Sequence, residues 1–181
     1  LRDELQLLKH AADSEKMAQS VQDNNGVVMV PAFTGLGAPY WDMEARGILT
    51  GLTRGSNRNH IVRAALESIA YQVKDLLDAM FIDMDLDLAT LKVDGGAAAN
   101  NFLMQFQADM IQKTIDRPMN IESTALGAGM LAGLASGFWI NTQELNGMRK
   151  TDRIFTPQMS AKYRFNLLQS WKKALVKTQY N

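Results

Sequence analysis

The 181-residue sequence contains no cysteine, which excludes disulfide bonds, zinc-ribbon sites, iron–sulfur clusters and a thiol nucleophile. It has only two histidines, His10 and His60, and they are too isolated to build a metal site or a catalytic triad. Both lie near predicted helix ends, so we expect solvated or capping roles for them. A chain without cysteine suits a reducing compartment, and we expect a cytoplasmic location.

The sequence also has no excess of positive or negative charge, and it has no long apolar run. Nineteen basic and nineteen acidic side chains cancel, so the basic footprint needed to neutralise nucleic-acid phosphates is missing. The acidic N-terminus is unlike a signal peptide. The least polar stretch, residues 125–140, is mostly alanine and glycine and predicts a buried helix rather than a membrane span. We expect neither a nucleic-acid nor a membrane partner.

Apolar patterning predicts an α/β protein. Apolar β-rich runs indicate strands at residues 27–30, 88–93 and 114–116. Helical spacing indicates a helix over residues 1–22, with a cap for a second short helix at 13–14, and a helix over residues 61–80. Further helices are indicated from near Asn100, from Ser123 or Thr124 to Gly137, and over residues 160–178. Alternating strands and long helices favour one α/β domain over residues 1–181, because a chain of this length makes about one domain.

The strongest candidate site follows the strand that ends at Val93. Gly95 and Gly96 allow a positive φ and remove side chains, so a flat ring or a phosphate can approach the backbone at the start of the helix near Asn100. The alternative is a turn that only reverses the chain. The P-loop lysine and the G-x-G-x-x-G spacing are both missing, which argues against Walker-type and Rossmann sites.

A second candidate is the glycine-bearing helix, which carries Gly127, Gly129, Gly133 and Gly137. Each interior glycine costs about 1 kcal/mol relative to alanine, so these glycines need a packing or ligand reason. Close approach to a sheet or to another helix is the expected reason, and a ligand contact is the alternative.

Two further groups of polar residues have structural explanations. Asp42, Glu44 and Arg46 could supply an acid, a base and an anion clamp, but no histidine or second carboxylate pair stands near them, so we expect a salt-bridged loop. The lysine pair Lys172 and Lys173 predicts a solvated helix face beside a buried Trp171. The alternative is a basic helix that binds a protein partner.

Long stretches of the sequence resemble the FGGY carbohydrate kinase family. The run Pro-Ala-Phe-Thr-Gly-Leu-Gly-Ala-Pro-Tyr-Trp-Asp at 31–42 is followed by Ala-Arg-Gly at 45–47 and Gly-Leu-Thr-Arg-Gly at 51–55. A second signature joins 47–52 to His-Ile-x-x-Ala-Ala-Leu-Glu at 60–67. Residues 93–96 with 100–105 resemble the family's adenosine-binding turn, and 124–128 and 171–174 continue the likeness. The resemblance covers nearly the whole chain and points to the C-terminal part of such an enzyme.

The resemblance implies a ribonuclease H-like domain of the actin-like ATPase type, without its first strands, and ATP as a substrate. Gly96 and Ala97 would contact the nucleotide through backbone groups, Asn100 would bond near the adenine, and Gly95 would permit the approach. The glycine-bearing helix would support the turn from beneath. The parent enzyme would phosphorylate a polyol; the run at 31–42 favours glycerol, giving glycerol 3-phosphate and ADP, with xylulose or gluconate as alternatives.

By the same resemblance, the catalytic aspartate, both phosphate loops, the substrate pocket and the metal-associated acid precede this segment. No catalytic residue and no metal ligand is therefore assigned here, the ligands of the implied Mg²⁺ lie elsewhere, and we expect no turnover from this chain alone. An exposed sheet edge and uncovered apolar surface predict a homo-oligomer. The alternative from another class is a non-catalytic interaction module on an actin-like scaffold.

Overall fold

The computed structural model describes residues 1–84 and 88–179. Its α-helices are α1 (Asp13–Gln19), α2 (Arg58–Met84), α3 (Asn101–Ile111), α4 (Ser123–Ala135) and α5 (Ala161–Gln179). Its strands are β1 (Val28–Val30), β2 (Ile48–Thr50), β3 (Thr90–Lys92), β4 (Thr114–Pro118) and β5 (Thr151–Phe155). Two short 3₁₀ helices cover Gly96–Ala99 and Thr142–Leu145.

The strands form two small sheets. In the first, β1 and β2 are antiparallel, with Met29 opposite Leu49. In the second, β4 lies between a parallel β3 and an antiparallel β5, with Ile115 opposite both Leu91 and Phe155. Because parallel neighbours need a crossover connection, the chain leaves β3 through the glycine turn and returns to β4 through α3. The turn therefore lies at the carboxyl end of a sheet strand, where the sequence predicts it.

The core between α2, α3 and α5 is built around Trp171, which is fully buried. Its ring stacks on Tyr71 with 5.1 Å between centroids, and Tyr71 meets Phe106 edge-on at 5.5 Å. The indole Nε1 donates to Asp75 Oδ2 at 2.6 Å, and the Tyr40 hydroxyl donates to the same oxygen at 2.6 Å. Asp75 thus ties the loop at residues 31–47 to α2 and α5.

Periodicity predicts α2, α3 and α5 correctly, and strands form within each of the three runs predicted as β. The start of α2 is fixed by Asn57, whose Oδ1 accepts from the backbone N–H of Asn59 at 2.9 Å. His60 Nδ1 in turn accepts from the Asn57 N–H at 3.1 Å, which confirms the capping role expected for this histidine. Sequence patterning missed β2, which has three residues, and β5, which has four exposed residues in five.

Two expectations about where helices begin are wrong. Residues 1–12 are not helical: Gln6 has a φ of +49°, which interrupts a right-handed helix, and Leu5 on the predicted stripe is 60% exposed. Neither Ser123 nor Thr124 caps α4, because the residue before its first turn is Glu122, which makes no side-chain cap bond. Within the two described ranges, no helix combines the length and the apolar character needed to cross a membrane.

Candidate functional site

The turn after β3 is shaped by Gly95. Its φ of +78° lies where L side chains are strained, and its N–H donates to the Ile121 carbonyl at 2.7 Å. The backbone then makes 3₁₀ bonds from the Ala98 N–H to Gly95 O and from the Asn100 N–H to Ala97 O. Glycine at position 95 is therefore required by backbone conformation.

Gly96 has no comparable reason to be glycine. Its φ lies outside the left-handed region, and a Cβ built on it would meet no atom within 4 Å. Gly96 and Ala97 are both exposed. The missing side chain therefore leaves open space next to accessible backbone, which is the condition that close approach by a ligand needs.

This open space belongs to a cavity of about 430 Å³ between the turn, α1 and α2. Such a volume is within the range of small-molecule sites. Leu66 and Ile69 of α2 supply apolar surface, and Ser14, Glu15 and Asn100 supply polar groups. The other lining residues are Ala11, Ala12, Gly96, Ala97, Ala99 and Leu103. A cavity with apolar walls and polar groups at its edge suits a heteroaromatic ring.

Asn100 lies at the cavity and also caps α3. Its Oδ1 accepts from the Leu103 N–H at 2.9 Å, and its Nδ2 donates to Ser14 Oγ at 3.2 Å. The capping role, with its Asn-x-x-Leu geometry, was not anticipated from the sequence. The bond to Ser14 uses one of the two N–H bonds of the amide.

Asn101 connects α1, which forms one wall of the cavity, to the β3–β4–β5 sheet. Glu15 accepts from the Asn101 backbone N–H and from its Nδ2, both at 2.9 Å. On the other side, Asn101 Oδ1 accepts from Arg117 Nη1 at 3.1 Å and from Arg153 Nη1 at 3.2 Å. Sequence reasoning missed Glu15, Asn101 and Arg117 as site residues, because their contacts join distant parts of the chain.

The buried carboxylates with shifted pKa values do not line the cavity. Burial tends to raise the pKa of Asp116, but hydrogen bonds from Arg149 Nη1 at 2.6 Å and Thr151 Oγ1 at 3.0 Å hold it below its ordinary range. Burial raises the pKa of Glu67 although Arg63 and Asn24 donate to it. Both groups belong to the scaffold around the site.

No magnesium site is assigned to the described part of the chain. Across residues 1–84 and 88–179, no group of three or more His, Asp or Glu side chains could hold a metal ion. At the cavity, the carboxylate of Glu15 already accepts two hydrogen bonds from Asn101. These residues do not fit a bound Mg²⁺.

The predicted burial of α4 is wrong. None of its residues is buried, and it borders a separate groove next to Met119, Met148 and Arg149 instead of supporting the turn. A Cβ would meet nothing at Gly127 or Gly129, whereas at Gly133 it would lie 2.2 Å from the Trp139 ring. The helix is apolar on all sides; one face, at residues 123, 126–127, 130 and 133–134, is half-buried and the rest is exposed. Of the four glycines, only at Gly133 would a Cβ meet a neighbour within 4 Å.

The remaining polar candidates have the loop contacts or the exposure that the sequence predicts for structural residues. Asp42 Oδ1 accepts from the N–H groups of Glu44 and Ala45 at 3.0 Å, and Arg46 Nη1 donates to three carbonyls of its own loop. Arg46 also lies 3.9 Å from the Glu44 carboxylate. On α5, Lys172 and Lys173 are exposed, whereas Trp171 is buried.

Comparison with known proteins identifies relatives over nearly the whole chain. Glycerol kinase of Desulfitobacterium hafniense is 59% identical over 175 residues, which are 97% of this chain and 35% of the relative. The structure of Plasmodium falciparum glycerol kinase with ADP matches with a TM-score of 0.88 at 34% identity, over 99% of this chain and 36% of that one. A xylulose kinase from Lactobacillus acidophilus matches with a TM-score of 0.75 at 22% identity, over 96% of this chain and 35% of that one, which shows a shared fold alone.

The chain spans about 35% of the length of the curated relatives it matches. The expected α/β fold of the actin-like ATPase type is confirmed by these structural matches. Residues 1–136, well over half of the chain, match the C-terminal domain model of the FGGY family of carbohydrate kinases. The chain therefore belongs to the FGGY family of carbohydrate kinases.

Proposed function

We propose that this chain is the C-terminal, adenine-side part of a glycerol kinase, which transfers the γ-phosphoryl group of ATP to glycerol and yields sn-glycerol 3-phosphate and ADP. Residues 1–181 would form its nucleotide-binding domain. The observation that carries the proposal is the open space at Gly96, where neither φ nor packing requires glycine and a cavity lies against the bare backbone. Glycerol is preferred to xylulose or gluconate because the relatives at 59% and 58% identity are glycerol kinases.

In this proposal the nucleotide lies against the turn. The exposed backbone of Gly96 and Ala97 contacts it, Gly95 gives the turn its shape, and the second Nδ2–H of Asn100 is donated to the base. Leu66 and Ile69 pack against the ring. The ADP in the Plasmodium falciparum relative supports a nucleotide as the ligand class.

The chemistry of phosphoryl transfer assigns this part of the enzyme a binding and orienting role. Catalysis of this reaction rests on positioning and on neutralising charge at the transferred group, for which Mg²⁺ supplies positive charge. The described residues hold the adenosine end of the nucleotide. The resemblance places the catalytic aspartate and the phosphate loops elsewhere in the enzyme. The purified 181-residue chain is therefore expected to release no ADP from ATP and glycerol in a coupled assay, and steady turnover would contradict this.

Calorimetry with ADP and ATP tests the proposed site directly. Gly96→Val should remove binding, because the new side chain fills the ligand space while the backbone and neighbours tolerate it. Gly127→Ala is the matched control, since it also adds atoms to open space but lies outside the cavity, and it should bind as the unchanged chain does. Circular dichroism confirms folding of each variant. Undiminished binding by Gly96→Val, or no binding by the folded unchanged chain, would contradict the proposal.

The apolar surface around α4 supports a second proposal, self-association of the chain. Leu131, Phe138 and Ile140 are 70%, 76% and 85% exposed, and contiguous apolar surface of this kind promotes association. Light scattering over a wide concentration range should show a homo-oligomer that Leu131→Lys weakens. A monomer at all concentrations would overturn this proposal. The cytoplasmic location stays a prediction.

A further inference from the structure

We infer that Arg117 is a positioning residue for nucleotide binding: it acts through the Gly96–Ala99 turn without lining the cavity. The inference rests on the proposed function, since it concerns the same site. Arg117 lies on β4 and is only 9% exposed, and the cavity is lined by other residues. Its influence on a ligand must therefore pass through the groups to which it donates.

Arg117 holds the back of the turn through two backbone carbonyls. Its Nη1 donates to Ala98 O at 3.0 Å and to Ala99 O at 3.2 Å. These carbonyls belong to the same 3₁₀ helix whose Gly96 and Ala97 face the cavity. Because successive peptide planes are coupled through only two soft dihedrals per residue, fixing these carbonyls orients the backbone that the nucleotide meets.

The guanidinium itself has a fixed orientation. Its Nε donates to Asp152 Oδ2 at 2.8 Å, its Nη2 lies 2.6 Å from the same oxygen, and its plane lies over the Phe155 ring at 5.3 Å. Because the guanidinium is planar and its Nε and Nη2 are held by Asp152, its Nη1 is directed one way, toward the turn. A lysine ammonium can donate to the carbonyls but cannot also reproduce this planar bridge to Asp152.

Arg117 also reaches the opposite wall of the cavity through Asn101. Its Nη1 donates to Asn101 Oδ1, and Asn101 donates twice to Glu15, which lines the cavity from α1. One guanidinium thus sets both the turn wall and, through Asn101, the α1 wall. We expect its loss to widen the cavity and to leave the turn in several orientations, which weakens binding because the ligand must then order it.

The test compares Arg117→Met, Arg117→Lys and Arg153→Met in the full chain. Arg153 is the matched control: it stands opposite Arg117 on β5, also donates to Asn101 Oδ1, at 3.2 Å, and also lies over Phe155, at 4.8 Å, but it is exposed, and its described bonds do not include the Ala98 and Ala99 carbonyls. The probe is ADP, and affinity is measured by calorimetry under conditions where urea unfolding shows each variant to be folded. Amide resonances of Gly96 and Ala97 report the turn without ligand.

Arg117→Met is expected to weaken ADP binding about tenfold and to shift the Gly96 and Ala97 amide resonances. Arg117→Lys should recover part of the affinity, and Arg153→Met should bind within about twofold of the unchanged chain. If Arg117→Met does not fold, Arg117→Lys decides: reduced ADP affinity in a folded protein supports the inference, and unchanged affinity overturns it.

Failure of the inference is distinguishable from failure of the proposed function. If the unchanged chain binds ADP and folded Arg117→Met binds it equally well, the positioning role is wrong and the nucleotide site stands. If the folded unchanged chain does not bind ADP, the nucleotide site and the positioning role are both wrong. Equal losses in Arg117→Met and Arg153→Met would also overturn the inference, because the two arginines share the bond to Asn101, whereas among the described contacts only Arg117 donates to the Ala98 and Ala99 carbonyls.

Discussion

The turn at residues 95–100 and helix α4 are both rich in glycine and alanine, yet they meet the rest of the molecule in different ways. The turn is bonded to its surroundings through Ile121, Ser14 and Arg117, and its exposed face borders a cavity. Helix α4 has no buried residue, and open space surrounds Gly127 and Gly129. At the turn, the backbone conformation requires glycine at position 95 and a cavity borders position 96, whereas the described contacts give no comparable reason for Gly127 or Gly129 in α4.

The difference shows that the reason for a glycine at a given position can be found only from its φ and its neighbouring atoms. Gly95 needs a positive φ, Gly96 faces open space at the cavity, and Gly133 accommodates the Trp139 ring. An alanine scan across both segments should separate these cases.

Gly95→Ala should destabilise the protein by about 1–3 kcal/mol, because a φ of +78° with a ψ of 168° is strained for any residue with a Cβ. Urea unfolding measures the change. Gly96→Ala is the control and should change stability little, because its Cβ has room and its φ is not left-handed. Equal stability of Gly95→Ala and the unchanged chain would show that the turn does not depend on glycine at position 95.

Asn100→Ala should cost about 1 kcal/mol of stability through loss of the α3 cap. Asn100→Asp keeps an oxygen that accepts from the Leu103 N–H but removes the donor to Ser14. It should retain most of the stability and still lose ADP affinity. A variant that loses stability and affinity in parallel would mean that Asn100 acts only as a cap.

Gly127→Ala should stabilise the protein by up to about 1 kcal/mol, since it removes an interior helix glycine at a position with open space. Gly133→Ala should give no such gain, because its Cβ would lie 2.2 Å from the Trp139 ring and the ring must move. Thermal unfolding and tryptophan fluorescence report the two variants. A stabilising Gly133→Ala with unchanged fluorescence would contradict the described contact.

Asp116, on the β4 strand between the turn and the groove beside α4, should make stability depend on acid pH. Its folded-state pKa lies below its ordinary value, so the ionised carboxylate stabilises the fold above the ordinary range, and that contribution is lost as pH falls through the folded-state value. At pH 7 the unchanged chain should exceed Asp116→Asn in stability by at most about 1 kcal/mol, and the gap should close below about pH 4. A gap that persists at lower pH would contradict the bonds from Arg149 and Thr151.

Sequence patterns predict the elements whose side chains face a continuous core. Helices α2, α3 and α5 follow apolar periodicity because each contributes apolar side chains to the core around Trp171, and α3 is buried over most of its length. Strand β5 escapes such a pattern because its first four residues are exposed and it is held by backbone pairing with β4. The existence of α4 follows from composition, but its exposure depends on which elements are present to cover it.

The candidate site is predictable only in its local part. A strand followed by two glycines and an asparagine points to Gly95, Gly96, Ala97 and Asn100, and the structure brings the last three to one cavity with Gly95 beneath them. Glu15 meets Asn101 across 86 positions of sequence, and Arg117 reaches Ala98 across 19. Pairings of this kind depend on the packing of α1 and β4 around α3, for which local spacing gives no signal.

A titration of the ¹⁵N-labelled chain with ADP, followed through the amide resonances, tests the nucleotide site at the turn most directly. The glycines of both segments report in one spectrum, so α4 is an internal control for the turn. A nucleotide site at the turn should give saturable shifts at Gly95, Gly96 and Ala97, with Gly127 and Gly129 unchanged. Shifts that follow α4 while the turn stays unchanged, or no shift in a folded chain, would contradict a nucleotide site at the turn.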